Sequence, residues 1–394
     1  MRTRVYVIDK THQKDIHNLF HPLGDHKPES YDEVKILDAL TSQTKRFLPL
    51  LLKELYSLLK PNGIFIFTYN PNRLDIKEHE IEKIFWKLFG IDAEYIDTYK
   101  KRGKATISYK KLRSVLVAHD SISKWSFGMV TNGVRKDFIK KSIESIRSLK
   151  IPEYEIIVCG KYPFPIENDI IYIPFTKRDD RGWITKKKNL IANEARFKNL
   201  CIFHDRIVFS KKWYKAMRHY GNVFEVLTCR QLLKNGTRVG DWVHSRKPYG
   251  TRAYQLTIEQ LDYKDWTENV YIGGMFTIIK KHVWEKIPWN ETLYWHEAED
   301  IELSVRLVNA GYIPRINPQA ECLSLSWNFG LLPEKQFTAS GKESFLWKLQ
   351  NVPMRRFVRS FLYNISAFPF ACKWISYSYS TFGKTRLYKY FSSH

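Results

Sequence analysis

"NLCIFHDRIVFS" (Asn199–Ser210) and "YIGGMFTIIKKHVWEKIPWNETLYWHEAEDIELSVRLVNAGY" (Tyr271–Tyr312) decide how this chain is read. The first is an apolar run over Leu200–Phe209, interrupted by His204-Asp205-Arg206. It predicts a buried strand ending in a polar triplet, and such a strand end is a natural place for a site. The second sets Gly273-Gly274 before the strand "MFTIIKK". It then places Glu297, Glu299 and Asp300 at the start of a helix whose apolar residues recur at helical spacing. Acids favour a helix's first turn through the helix dipole, so capping alone accounts for them. A carboxylate in that position can equally act as a base, and the two roles are compatible.

Upstream, the same strand and helix periods repeat. "WSFGMVTNG" reads as a strand ending in Thr131-Asn132-Gly133, and "RKDFIKKSIESIRSL" as an amphipathic helix. "YEIIVCGK" and "DIIYIPF" read as strands, and "WITKKKNLIANEA" as a helix. Alternation of this kind predicts a parallel, doubly wound sheet over 121–330, with ligands at the C-terminal strand ends. Thr131, Asn132, Gly133, Cys159, Gly160, His204 and Asp205 all fall there.

The chain has 394 residues, 44% of them hydrophobic and 15% aromatic, enough for one large domain or two to three ordinary ones. A net charge of +23 attracts polyanions without choosing among them. Five scattered cysteines form no CxxC pair, which fits a reducing compartment. The start "MRTRVYVIDKTHQ" has no apolar signal core, and no apolar run reaches about 18 residues. A cytoplasmic location is therefore expected. The segment 331–394 is basic and aromatic, its apolar runs broken by Arg355, Arg356, Arg359 and Lys373. It predicts a helical tail lying on the inner face of an anionic membrane, or packed on the preceding domain.

The stretch from Ser126 to about Gln319 resembles family-2-like inverting glycosyltransferases of the GT-A fold. The resemblance implies a Rossmann-like α/β domain that moves a sugar from a nucleotide-sugar donor to a hydroxyl of a saccharide or lipid-linked saccharide, in surface polysaccharide or glycoconjugate synthesis. It implies donor contacts from Thr131, Asn132, Gly133, Cys159, Arg181, Lys187, Asp205 and Arg206. It implies acceptor contacts from Gly273, Gly274 and Trp295, and a catalytic base at Asp300 with Glu299 beside it. Cys159-Gly160-Lys161 stands where the family usually has an acid near the base. His204-Asp205-Arg206 aligns with a metal-binding pair of acids. Either Asp205 with His204 or His296 holds Mn²⁺ or Mg²⁺, or Arg206 supplies the positive charge itself. Asp205 as a simple turn cap is the plain alternative. Trp242, Trp266 and Trp289 offer sugar-stacking faces or core filling.

Residues 1–113 resemble the C-terminal half of a class I methyltransferase, carried by "YDEVKILDAL", "LLKELYSLLKPNGIFIF" and "GKATISYKK". The family's S-adenosylmethionine site needs an earlier Gly-rich turn, and none precedes Tyr31. The segment is expected to be a truncated, non-catalytic α/β layer with a scaffolding or homodimer role. A methyltransferase or bifunctional enzyme, a non-catalytic scaffold and a nucleic-acid binder are the rival readings. Lysines spread over many segments argue against a specific nucleic-acid partner.

Overall fold

The computed structural model describes residues 3–9, 26–42, 45–115, 120–245, 258–295, 297–327 and 334–335. His296 and the tail from 336 onward lie outside these, so the readings placed on them do too. No helix among the described residues is long and apolar enough to cross a membrane.

The first unit runs β1 (Val5–Ile8), β2 (Tyr31–Leu37), α1 (Leu48–Leu58), β3 (Leu59–Tyr69), α2 (Pro71–Leu74), α3 (Glu78–Phe89), β4 (Ala93–Lys101) and β5 (Lys104–Lys111). Its sheet has the order β1-β2-β3-β5-β4. The first three strands are parallel, and β5 and β4 form an antiparallel hairpin beside β3. The Pro61-Asn62-Gly63 sequence, which suggests a helix stop, lies inside β3. The helix has already ended at Leu58. Asn62 turns the backbone with φ +66°, and the strand pairing slips between Tyr31 and Glu33 opposite it.

The second unit comprises β6 (Lys124–Thr131), α4 (Lys136–Arg147), β7 (Glu153–Gly160), β8 (Ile170–Pro174), α5 (Ile184–Glu194), β9 (Asn199–His204), β10 (Ile207–Phe209) and α6 (Trp213–Tyr220). It continues through β11 (Val226–Leu232), β12 (Trp242–Ser245), β13 (Ile258–Leu261), β14 (Val270–Ile272), β15 (Phe276–Lys280), α7 (Lys281–Lys286), α8 (Glu299–Asn309), β16 (Pro314–Ser324) and β17 (Glu334–Lys335). The main sheet has the order β10-β16-β11-β15-β9-β6-β7-β8, and a small sheet the order β14-β12-β13-β17.

The main sheet is mixed, not all parallel as the alternation predicts. β8, β7, β6 and β9 are parallel, but β15 runs antiparallel to both β9 and β11. The reason lies in the path of the chain. It leaves β11 for the small sheet and returns through Gly273-Gly274 at the same rim, so β15 must descend against its neighbours. The run Leu200–Phe209 is also two strands, broken at Asp205-Arg206.

The two units share one apolar core. Leu51, Leu55, Phe65 and Phe85 of the first cluster with Trp242, Leu261, Trp266, Val270, Ile313 and Ile316 of the second. Helix α1, "LPLLLKELYSL", is buried on nearly every side. Its Glu54 pairs with Arg315 of β16, both almost fully buried, while Lys53 reaches Glu225 at 2.8 Å.

Candidate active site

The C-terminal ends of β6, β7 and β9 meet beside helix α5. Thr131 Oγ1 donates to Asp205 Oδ2 at 2.7 Å and accepts from Gly133 N–H at 3.0 Å. Lys187 Nζ donates to the Thr131 carbonyl at 2.9 Å and pairs with Asp179 at 2.6 Å. Gly160 permits this contact. Its φ is +131°, and a Cβ there would lie 1.8 Å from the Thr131 oxygen and 3.1 Å from Lys187 Nζ. Gly160→Ala is expected to cost on the order of 1–3 kcal/mol, read by denaturant unfolding. Unchanged stability would mean that the strand end shifts without cost.

Asp205 is buried, which pushes its carboxyl above the usual range, against the Thr131 hydroxyl and the charges of Arg135, Arg206 and Lys187. Burial also drives His204 well below an ordinary histidine, helped by Arg206, Lys188 and Lys187, so its ring is neutral at pH 7. The His204 Nε2 has no hydrogen-bond partner among the described residues. Arg206 is pushed down to about 10 by burial and the nearby Arg135, and so remains charged at neutral pH. Its Nε lies against Met275 Sδ, while Arg135 donates to Ser326 Oγ. Neither arginine has an ion-pair partner among the described residues. Two cations thus bear on one buried carboxylate, which leaves this rim with excess positive charge.

The second carboxylate cluster sits across α5. Lys188 is fully buried, with Nζ 2.9 Å from the Gly274 carbonyl and 3.2 Å from Glu299 Oε1. The Gly274 N–H donates to Asp300 Oδ2 at 2.8 Å, and Ile301 N–H to Oδ1 at 2.9 Å. A Cβ on Gly274 would lie 2.4 Å from Glu299 Oε1, so the carboxylate occupies the space a side chain would need. Gly273 is pressed against the Gly240 carbonyl, 2.6 Å from where its own Cβ would be. Burial first, and then the charge of Glu299, raise the Asp300 carboxyl to about 6. That suits a carboxylate meant to accept a proton near neutral pH.

Neighbouring Lys187 and Lys188 therefore hold opposite sides of one rim, the first at Thr131 and Asp205, the second at Gly274 and Glu299. At the lip, Arg181 stacks over the Tyr294 ring at 3.9 Å and faces Glu297 at 3.8 Å. Arg178 donates to the Tyr294 hydroxyl at 2.6 Å. Trp295 is 41% exposed and is held by its backbone N–H on the Gly182 carbonyl.

Several residues lie differently from their expected places. Cys159 is sealed in the apolar core with Val130, Ile157 and Ile191, and burial pushes its thiol up to about 12. It offers a ligand nothing. Asn132 is exposed and spends its side-chain oxygen on Val134 N–H. Of the two readings open to Trp242, Trp266 and Trp289, core filling is the one the fold takes, since all three are buried. Arg135 emerges only from the fold, and Lys188, one of the lysines opening the helix "WITKKKNLIANEA" and expected on the diphosphate side, instead pairs with Glu299. Arg135 stands where α4 begins after the Thr131–Gly133 turn, and that position is its one trace in the sequence.

Among the described residues no three His, Cys, Asp or Glu side chains come together to hold a metal ion. Within the described residues the rim supplies one carboxylate, Asp205, and the neutral ring of His204, fewer protein donors than a Mn²⁺ or Mg²⁺ site usually draws on, and His296 lies outside them.

No protein-family model and no curated protein matches the chain. Among solved structures, it is similar to residues 1–349 of TarS from S. aureus at a TM-score of 0.35 and 13% identity. That match covers 51% of this chain and 60% of the other. It is also similar to GalNAc-T7 solved with UDP, GalNAc and Mn²⁺, at a TM-score of 0.37 and 11% identity. That match covers 52% of this chain and 43% of the other, so both span less than two thirds of the matched chains.

Proposed function

We propose that this chain is a glycosyltransferase that moves a sugar from a nucleoside-diphosphate donor to a hydroxyl, with inversion. The observation that carries the reading is the pairing of two unlike stations on one rim. One is cationic, with Arg135 and Arg206 around Asp205. The other is acidic, with Asp300 beside Glu299. A diphosphate suits the first, where two cations with no ion-pair partner among the described residues can offset the charge that builds on the leaving group. The acceptor suits the second. Asp300 takes the hydroxyl proton, the acceptor oxygen bonds to the anomeric carbon, and the bond to the diphosphate oxygen breaks with its electron pair leaving on the nucleotide. Lys188 neutralises Glu299 and holds Gly274, whose N–H orients Asp300. The exposed Trp295 indole at the lip is suited to stack on a sugar face.

We read the first unit as a scaffold. The sequence offers no Gly-rich turn before Tyr31 to cradle a methyl-donor cofactor, which supports a non-catalytic layer. Helices α1 and α3 of this unit contribute to the apolar core it shares with the second unit.

Calorimetric titration with UDP, GDP, CMP and dTDP, with and without Mn²⁺, tests the donor station. Selective binding of one nucleotide is expected, weakened about tenfold or more by Arg135→Ala or Arg206→Ala. Comparing Asp205→Ala with and without Mn²⁺ would show whether that carboxylate serves an ion. No binding of any nucleotide would sink the proposal.

A further inference from the structure

We infer that the outer edge of the N-terminal sheet pairs with a second copy of this chain, β4 against β4, about a twofold axis at Tyr99. β4 is the last strand of its sheet and is nine residues long. Edge strands of this length are usually protected, because their free N–H and C=O groups invite another strand. This one carries a bulge at Ile96 and four charges, yet it also exposes Tyr95, Ile96 and Tyr99, each close to half accessible. Ile91, just before it, and Trp86 on α3 are about two thirds exposed.

The charges on β4 specify the partner. Glu94 is engaged with Lys110 at 3.8 Å and Lys100 with Glu78 at 2.6 Å. The remaining two, Asp97 and Lys101, have no ion-pair partner among the described residues. The strand bulges at Ile96 and is regular from Asp97 onward. Asp97 lies opposite Ser108, Tyr99 opposite Thr106 and Lys101 opposite Lys104, so the three share one face.

Two antiparallel copies related by a twofold axis must cross at a residue, because directly opposed side chains point to the same face. An axis at Tyr99 sets Asp97 of each copy against Lys101 of the other and stacks the two Tyr99 rings. An axis at Asp97, Lys100 or Lys101 would oppose like charges, and one at Thr98 would leave Asp97 against Tyr99. The two charges unused within the protomer are the two that a second copy would neutralise.

Sedimentation velocity of the full chain across a concentration series tests this. A reversible dimer is expected for the unaltered protein. Asp97→Lys and Lys101→Asp should each raise the dissociation constant about tenfold or more, ~1.4 kcal/mol. The double swap Asp97→Lys/Lys101→Asp should bring it back, since opposite charges face each other again. Circular dichroism on each variant confirms that these surface changes leave the fold intact. A monomer at every concentration would overturn the inference. So would a dimer that the single swaps do not weaken, or a folded double swap that fails to restore it.

Discussion

Asp300→Asn is expected to slow sugar transfer about 10²- to 10⁴-fold, the range for loss of a positioned base. Donor nucleotide binding should change little, because Asp300 belongs to the opposite station from Arg135 and Arg206. The substitution is also expected to be nearly neutral for stability. Asn removes a carboxylate held at about 6, and so relieves buried charge at pH 7. It also loses one of two backbone contacts, because its amide can accept from Gly274 or from Ile301 but not from both through oxygen.

The pH dependence has a definite sign. An acid whose proton is held up to about 6 works as a base only above that value, so the rate should climb through pH 6 and level off. The same shift, from 3.8 in the unfolded chain, means that Asp300's contribution to stability is present below 3.8 and lost as pH rises through 6. Activity and stability therefore run in opposite directions across that window. A rate profile flat between pH 5 and 7, or an Asp300→Asn enzyme of undiminished rate, would remove Asp300 from the chemistry.

The largest stability effect should come from Arg315→Leu. It strands Glu54 inside the shared core, and loss of one partner of a buried pair typically costs about 3–5 kcal/mol. Arg315 also donates to the Val223 carbonyl at 3.1 Å, so the neighbouring loop would loosen as well. Glu54→Leu on the same background should recover much of the loss, because two apolar side chains of suitable size need no counter-charge. Burial already raises the Glu54 carboxyl above its ordinary value of 4.5 despite Arg315. Without the arginine it rises further. The deficit of the single variant should then shrink as pH falls toward 4.5, where protonated Glu54 sheds its charge. Urea midpoints for the four proteins of this cycle, at two pH values, measure it. A single variant within about 1 kcal/mol of the parent would mean that water reaches Glu54.

Much of the secondary structure was legible because its signals are local. The period of "RKDFIKKSIESIRSL" places a helix, and α4 spans Lys136–Arg147. The apolar run of "YEIIVCG" places a strand, and β7 spans Glu153–Gly160. Strand direction was not legible. Nothing in "MFTIIKK" says that it descends, because direction depends on which rim the chain re-enters. The site was legible only as position along the chain. A carboxylate at the first turn of α8 can be read from the sequence. That the distant Lys188 neutralises its neighbour Glu299 cannot, because that contact exists only once α5 lies across the sheet. Cys159 shows the converse failure. A strand end names the residue, but strand parity decides whether its side chain faces the rim or the core.

The common core of the two units bears on how the chain is made. Synthesis proceeds from the N-terminus, so the first unit leaves the ribosome well before its packing partners, among them Trp242, Trp266 and Ile316. Until they emerge, the part of this core that they close is covered only by the first unit's own strands and helices, and its remaining apolar surface is open to chaperones and to self-association. The interval lasts for more than 250 residues of elongation, from Leu58 to Ile316, or on the order of 13–50 s at 5–20 residues per second. Expression yield should therefore respond to elongation rate and chaperone supply more strongly than the stability of the finished protein would indicate.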